Sequence, residues 1–235
     1  MAQERFSTLE ECCEFARRFD QLAEQKSKEE IKEDVIAMHI ALVKHIDEIV
    51  NRVYTRHKLS CKCKWALNYT LRYGPLGKVD SATRYGLHYK PHFFEWGQNN
   101  NNNNNNELLI HINPRLLFSG ADTIRSVVLH EIAHLSHMNH GANFWKTHII
   151  YMQEEGLLPQ GDITKNGKLL FLNGKAIAES GCSREMFGVL NPFLGMYVFL
   201  PGKKHFRIKR KMKTIVIDAI YSKQLNINIV CNDKR

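Results

Sequence analysis

A chain of 235 residues, 43% hydrophobic and 24% charged, is long enough to bury a core and too apolar to remain a disordered tail. Apolar runs such as Phe193 to Leu200 fall far short of a bilayer span, and MAQERFSTLEE has acidic residues where a signal peptide needs basic then apolar ones. A membrane-embedded or secreted protein is therefore not expected. The expected setting is intracellular, cytoplasmic with the nucleus as an alternative, and the formal net charge of +9 makes DNA or another polyanion a candidate partner.

Two helices open the chain, each with a capping-box pattern: Ser7-x-x-Glu10, then Ser27-x-x-Glu30. In the second, Ile31, Val35, Met38, Leu42, Ile46, Ile49 and Val53 recur every three or four residues, so one face is predicted to pack inward. From Trp65 to Tyr73 the period becomes two, which predicts a strand ended by Gly74-Pro75-Leu76-Gly77. Tyr85 to Glu95 offers a second strand region, interrupted by Pro91. Asn99 through Asn106 is an unbroken asparagine tract with no side chain able to build a core, expected to be a mobile solvent loop.

Leu108 to Ile112 reads as a strand stopped by Asn113-Pro114, and a helix with Asp122 as its N-cap follows. That helix is apolar on most of its circumference and should lie deep in the fold. A further helix carries Phe144, Trp145, His148, Ile149 and Met152 and closes at Gly156. Beyond Gly161, Asn166-Gly167 and Asn173-Gly174 bracket the apolar run Leu169 to Leu172 as hairpin turns would. Met196 to Leu200, Thr214 to Ile220 and Leu225 to Val230 are further strand candidates. The expected class is α+β: an N-terminal helical segment (1–57), a catalytic domain (58–160) and a β-rich C-terminal appendage (161–235).

The stretch His130-Glu-Ile-Ala-His134 carries the chemistry. Histidines four apart on a helix project from one face one turn apart, the separation that two nitrogen ligands of one zinc require. Glu131 beside them can accept the proton of a metal-bound water without ligating. A catalytic zinc takes three protein ligands and keeps a place for water, which makes His140 the third. On a straight helix His140 would lie about 9 Å beyond His134, so the chain must leave the helix, and Asn139 and Gly141 permit a left-handed turn there.

His137 competes, but His130 and His137 on one straight helix stand about 10 Å apart along the axis, which strains tetrahedral ligation. His88, His92, His111, His148 and His205 lack partner spacing and read as surface or hydrogen-bonded core histidines. A chance motif in a chain of twelve histidines is the competing explanation; placement on an apolar helix and the third histidine weigh against it. Cys12, Cys13, Cys61, Cys63, Cys182 and Cys231 form no C-x-x-C pair, so neither a zinc ribbon nor a disulfide framework is supported.

These residues resemble the SprT-like and YgjP-like zinc metallopeptidases. His130-Glu-Ile-Ala-His134-Leu, then Asn139-His140-Gly and Phe144-Trp145, is similar to the YgjP-like pattern, including the spacing to the third histidine. Ile110-His-Ile-Asn-Pro-Arg-Leu-Leu117 resembles the strand before the metal helix, and Trp96-Gly97 the family's W-G before that strand, although here Gln98 and the asparagine tract replace the family's next residues. The likeness covers about Tyr85 to Gly156 and implies a minimal zincin-like domain, helices packed on a small sheet with the metal on a buried helix. In it one zinc is bound by His130, His134 and His140, and Glu131 is the base. The spacing also equals that of metzincins, but His137 occupies their glycine position.

Peptide hydrolysis is the first functional expectation, with a protein or peptide as substrate. Some SprT-like relatives act on proteins attached to DNA, which suits the positive charge. Lys203, Lys204, Arg207, Lys209, Arg210, Lys211 and Lys213, with no acidic residue among them, read either as a solvated face or as a nucleic-acid contact or nuclear localisation signal. A nucleotide phosphohydrolase is the alternative enzyme, although no glycine-rich phosphate loop is present. A non-catalytic zinc-containing nucleic-acid adaptor is the alternative binding module, but it would have no use for Glu131.

Overall fold

The computed structural model describes residues 5–59, 63–68, 86–89, 108–112, 114–137, 139–181, 212–216, 218–219 and 229–230. Its elements in chain order are α1 (Leu9–Ala23), α2 (Lys28–His57), β1 (Cys63–Asn68), β2 (Gly86–Tyr89), β3 (Leu108–Ile112), a 3-10 turn (Pro114–Phe118), α3 (Ala121–Ala133) and α4 (Ala142–Glu154). Four strands follow: β4 (Ile163–Asn166), β5 (Leu169–Leu172), β6 (Lys175–Glu179) and β7 (Ile229–Val230). Helix and sheet are mixed, in keeping with an α+β class. The asparagine tract, the Gly74–Gly77 turn, Tyr69 to Tyr73 and Met196 to Leu200 lie outside the described residues.

α1 begins one position later than Ser7-x-x-Glu10 predicts. Thr8 is the N-cap, its hydroxyl accepting from the Glu11 amide at 3.2 Å, while the Glu11 carboxylate accepts from the Ser7 and Thr8 amides. Two overlapping capping boxes are written in the sequence, and the third dimension chooses between them: Glu10 turns instead to Arg125 of α3, at 2.5 Å. α2 starts at the predicted Ser27 cap, and all seven of its periodic apolar residues are buried. It packs on α1 and α3, so its inner face is part of the same core that holds α3.

The main sheet has the order β2-β3-β1-β7. β1 pairs in parallel with both β3 and β7, and β2 runs antiparallel along β3. From β3 the chain passes through the 3-10 turn to α3, whose N-cap is Gly120 rather than Asp122. The Gly120 carbonyl accepts the first helical bond, from Ile124 at 3.2 Å. Asp122 sits within the first turn, where its charge still complements the helix dipole, and it binds Arg125 at 2.8 Å.

β4, β5 and β6 form an antiparallel meander after α4. The Asn166-Gly167 and Asn173-Gly174 turns are present as predicted, and the second has both residues at positive φ, 50° and 77°, as a two-residue turn with matching strand twist requires. Where it is described, the stretch Thr214 to Ile220 is helical and not a strand. Residues 212–216 are helical, and Met212, Val216 and Ala219 are buried at helical spacing, so packing of that face prevails over β-branched composition. Ile229 and Val230 are in strand conformation but join the main sheet. No helix among the described residues is long and apolar enough to cross a membrane.

Candidate metal centre

α3 is fixed by burial nearly all round: Ile124, Val127, Val128, Leu129, Ile132 and Ala133 are all in the core. A helix so enclosed cannot rotate to present another face, so the directions of His130, Glu131 and His134 follow from the packing. His130 lies in its last turn and His134 is its C-cap, with ring centroids 4.9 Å apart. Glu131, between them in sequence, is buried.

The helix ends at Ala133, before the position where a straight continuation would have carried His140 away. Leu135 donates to the Ile132 carbonyl at 2.9 Å, and the Ser136 and His137 amides turn back onto Ala133. The chain then returns His140 to the helix. Its Nε2 stands 3.1 Å from Nε2 of His130. Gly141 does not take the left-handed conformation open to it; it is the extended N-cap of α4 at φ −73°. Early helix termination begins the reversal.

His130, His134 and His140 bring one donor atom each within 4.8 Å of one another, and they are the one group of three metal donors among the described residues. Nitrogens bound tetrahedrally at about 2.05 Å would stand about 3.3 Å apart, close to the separation of the His130 and His140 Nε2 atoms. His134 Nδ1 lies 2.9 Å from the His137 carbonyl. Since a carbonyl only accepts, the proton is on Nδ1 and Nε2 is left with its lone pair for a metal. Burial pushes His130 well below the ordinary histidine range, and His148, His134 and His140 push it the same way. Burial also lowers His134, against the bond to His137. Burial thus disfavours the charged form of His130 and His134, and ring nitrogens from all three histidines converge on one point, so the residues present fit a metal ion.

Phe144 of α4 lies beneath all three rings: it stacks on His134 at 4.4 Å and 29° and meets His130 and His140 edgewise at 4.8 and 4.7 Å. The fully buried Trp145 and His148 complete this floor, His148 with its ring 5.3 Å from that of His130 and its Nε2 3.3 Å from the Ser126 carbonyl. Burial holds His148 at about 4, hence neutral. It is a core histidine, as its lack of ligand spacing predicts. Its place against the centre is new, and its position four residues after Phe144, on the same helix face, was the available signal. His137 contributes its carbonyl, where the sequence suggested a competing ring.

His88 and His111 lie on β2 and β3, while His92, His205 and Cys61 are outside the described residues. So is the basic cluster apart from Lys213, which is half-buried at the helical residues 212–216.

Among known proteins, residues 81–154 match the family model described as YgjP-like, metallopeptidase domain. That stretch covers nearly all of the sequence on which the resemblance rested, and it contains the three histidines and Glu131. No curated protein and no solved structure matches the chain.

Proposed function

We propose, taking residues 81–154 as a YgjP-like metallopeptidase domain, that this protein is a zincin-like peptidase holding one zinc ion per chain. In this reading His130, His134 and His140 are the ligands and Glu131 is the general base. The observation that carries it is the convergence of three imidazole rings at the end of a buried helix, beside a buried carboxylate. Zinc bound there supplies a water whose pKa is lowered to about 7 and a Lewis acid for the scissile carbonyl.

The rest is the work of the chain. Glu131 takes the proton of the attacking water on its carboxylate and returns it to the departing amine nitrogen. His137 fixes the His134 tautomer through its carbonyl. The aromatic floor of Phe144 and Trp145 keeps bulk water from the rear of the three rings. Among the described strands β2 is an edge of the main sheet, and it lies against α3, so an extended peptide adding to that edge is brought to the helix that carries the donors.

Glu131→Gln tests the assignment. The amide cannot accept the proton, so peptide hydrolysis should fall by at least about a hundredfold, while zinc measured by elemental analysis stays at the wild-type level. Undiminished hydrolysis in that variant would remove Glu131 as base. On the net charge of +9 we extend the reading to substrates that are DNA-associated proteins.

A further inference from the structure

His140 lies between the end of α3 and the start of α4, outside any helix or strand among the described residues. Metal ligands must be held to within about 0.5 Å of their productive geometry, so something outside that segment has to fix it. On one side Gly141 opens α4, its carbonyl accepting from the Trp145 amide at 3.1 Å. On the other, the Gly181 amide donates to the His140 carbonyl at 2.7 Å. Gly181 lies beyond residue 154, where the family match ends.

Gly181 is itself anchored. It follows Ser180, whose amide donates to the Lys168 carbonyl at 2.7 Å, so the end of β6 is tied back to the β4–β5 turn. The chain leading into the meander is tied to α4: the Gln153 side chain donates through Nε2 to the carbonyls of Pro159 and Gly161, and the Gln160 side chain donates to the Gln153 carbonyl. Leu170, Leu172, Ile177 and Ala178 are buried in the same core as α3 and α4. Gly181 adopts φ +89°, which side-chain-bearing residues rarely reach, so a side chain added there strains the residue whose amide bonds His140.

We propose that the β4–β6 meander is a positioning element for the metal centre, with Gly181 holding His140 in register through its main-chain bond. The proposal rests on the three-histidine reading above. Residues that orient a metal ligand typically change metal affinity about 10- to 100-fold when lost.

Gly181→Ala is the test and Gly174→Ala its control. Gly174 has a comparable φ of +77° at the β5–β6 turn and equal room for a methyl group, so both variants strain the meander, but only one disturbs the bond to His140. Zinc affinity would be measured by chelator competition, and the ligand field by the visible spectrum of the cobalt-substituted protein. Gly181→Ala should lose at least about tenfold in affinity and alter the cobalt spectrum, while Gly174→Ala lowers thermal stability and leaves both unchanged. Equal effects of the two variants, or no effect of Gly181→Ala, would overturn the proposal. A wild type that binds no metal is a different result and removes the three-histidine reading itself.

Should Gly181→Ala not fold, hydrogen exchange in the unaltered protein decides. Coupling is reciprocal, so zinc should slow exchange of the Gly181 amide and leave that of Asn173, which donates to Asp162 inside the meander, as it was. Equal response of the two amides would count against it.

Discussion

His137 and His140 stand three residues apart and do different work at the centre, one through a carbonyl oxygen and the other through a ring nitrogen. Removing the ring of His137 leaves its carbonyl in place, so His137→Ala should keep its zinc, whereas His140→Ala should lose it; elemental analysis of the two purified variants separates them. Loss in both would return the third-ligand question to open. His39 of α2 makes a pH prediction. It is fully buried, its Nδ1 2.7 Å from the Val35 carbonyl, and burial lowers it to about 4. Its folded value lies below its unfolded one, so the unfolded chain takes up the proton first as pH falls. The contribution is full above about 6.5, drains away down to about 4, and is worth at most about 3 kcal/mol. His39→Leu should therefore make the melting temperature less steep between those pH values, and an unchanged slope would show that His39 is not the group responsible.

At the scale of elements, the cap of α1 separates two readings of one sequence. Thr8→Ala should cost about 1 kcal/mol in urea unfolding, because the Glu11 amide loses its acceptor, and Ser7→Ala close to nothing. Equal losses would put the cap where local sequence placed it. That difference of one residue shows what local pattern can convey. α2 was legible end to end because a 3.6-residue period and a capping box agree. The pair His130 and His134 was legible because four residues on a helix is a fixed geometry. The return of His140 was legible only as a necessity. How the chain would turn depended on where α3 stops, and that is set by the packing around Ala133. Likewise Met212 and Val216 obey a helical period that β-branched neighbours conceal.

For the whole molecule, the charge of +9 and the extension to DNA-associated substrates predict a salt effect. DNA should stimulate cleavage of a protein substrate, and its affinity, followed by fluorescence anisotropy, should fall at least about tenfold between about 50 and about 200 mM salt. A protein indifferent to DNA would remove the extension and leave the peptidase reading intact. Long-range partners were the least legible feature, since nothing in β1 indicates that Ile229 and Val230 will lie beside Leu67 and Asn68. That pairing also sets an order of events during synthesis. Leu67 must wait for Ile229, and at about 5–20 residues per second the interval is about ten to thirty seconds, during which Leu67 and Asn68 of β1 lack their β7 partners. A nascent chain with such an open strand can pair with another copy. Slow translation of the later segment would therefore favour aggregation on the ribosome, whereas a chain already released completes its sheet from within.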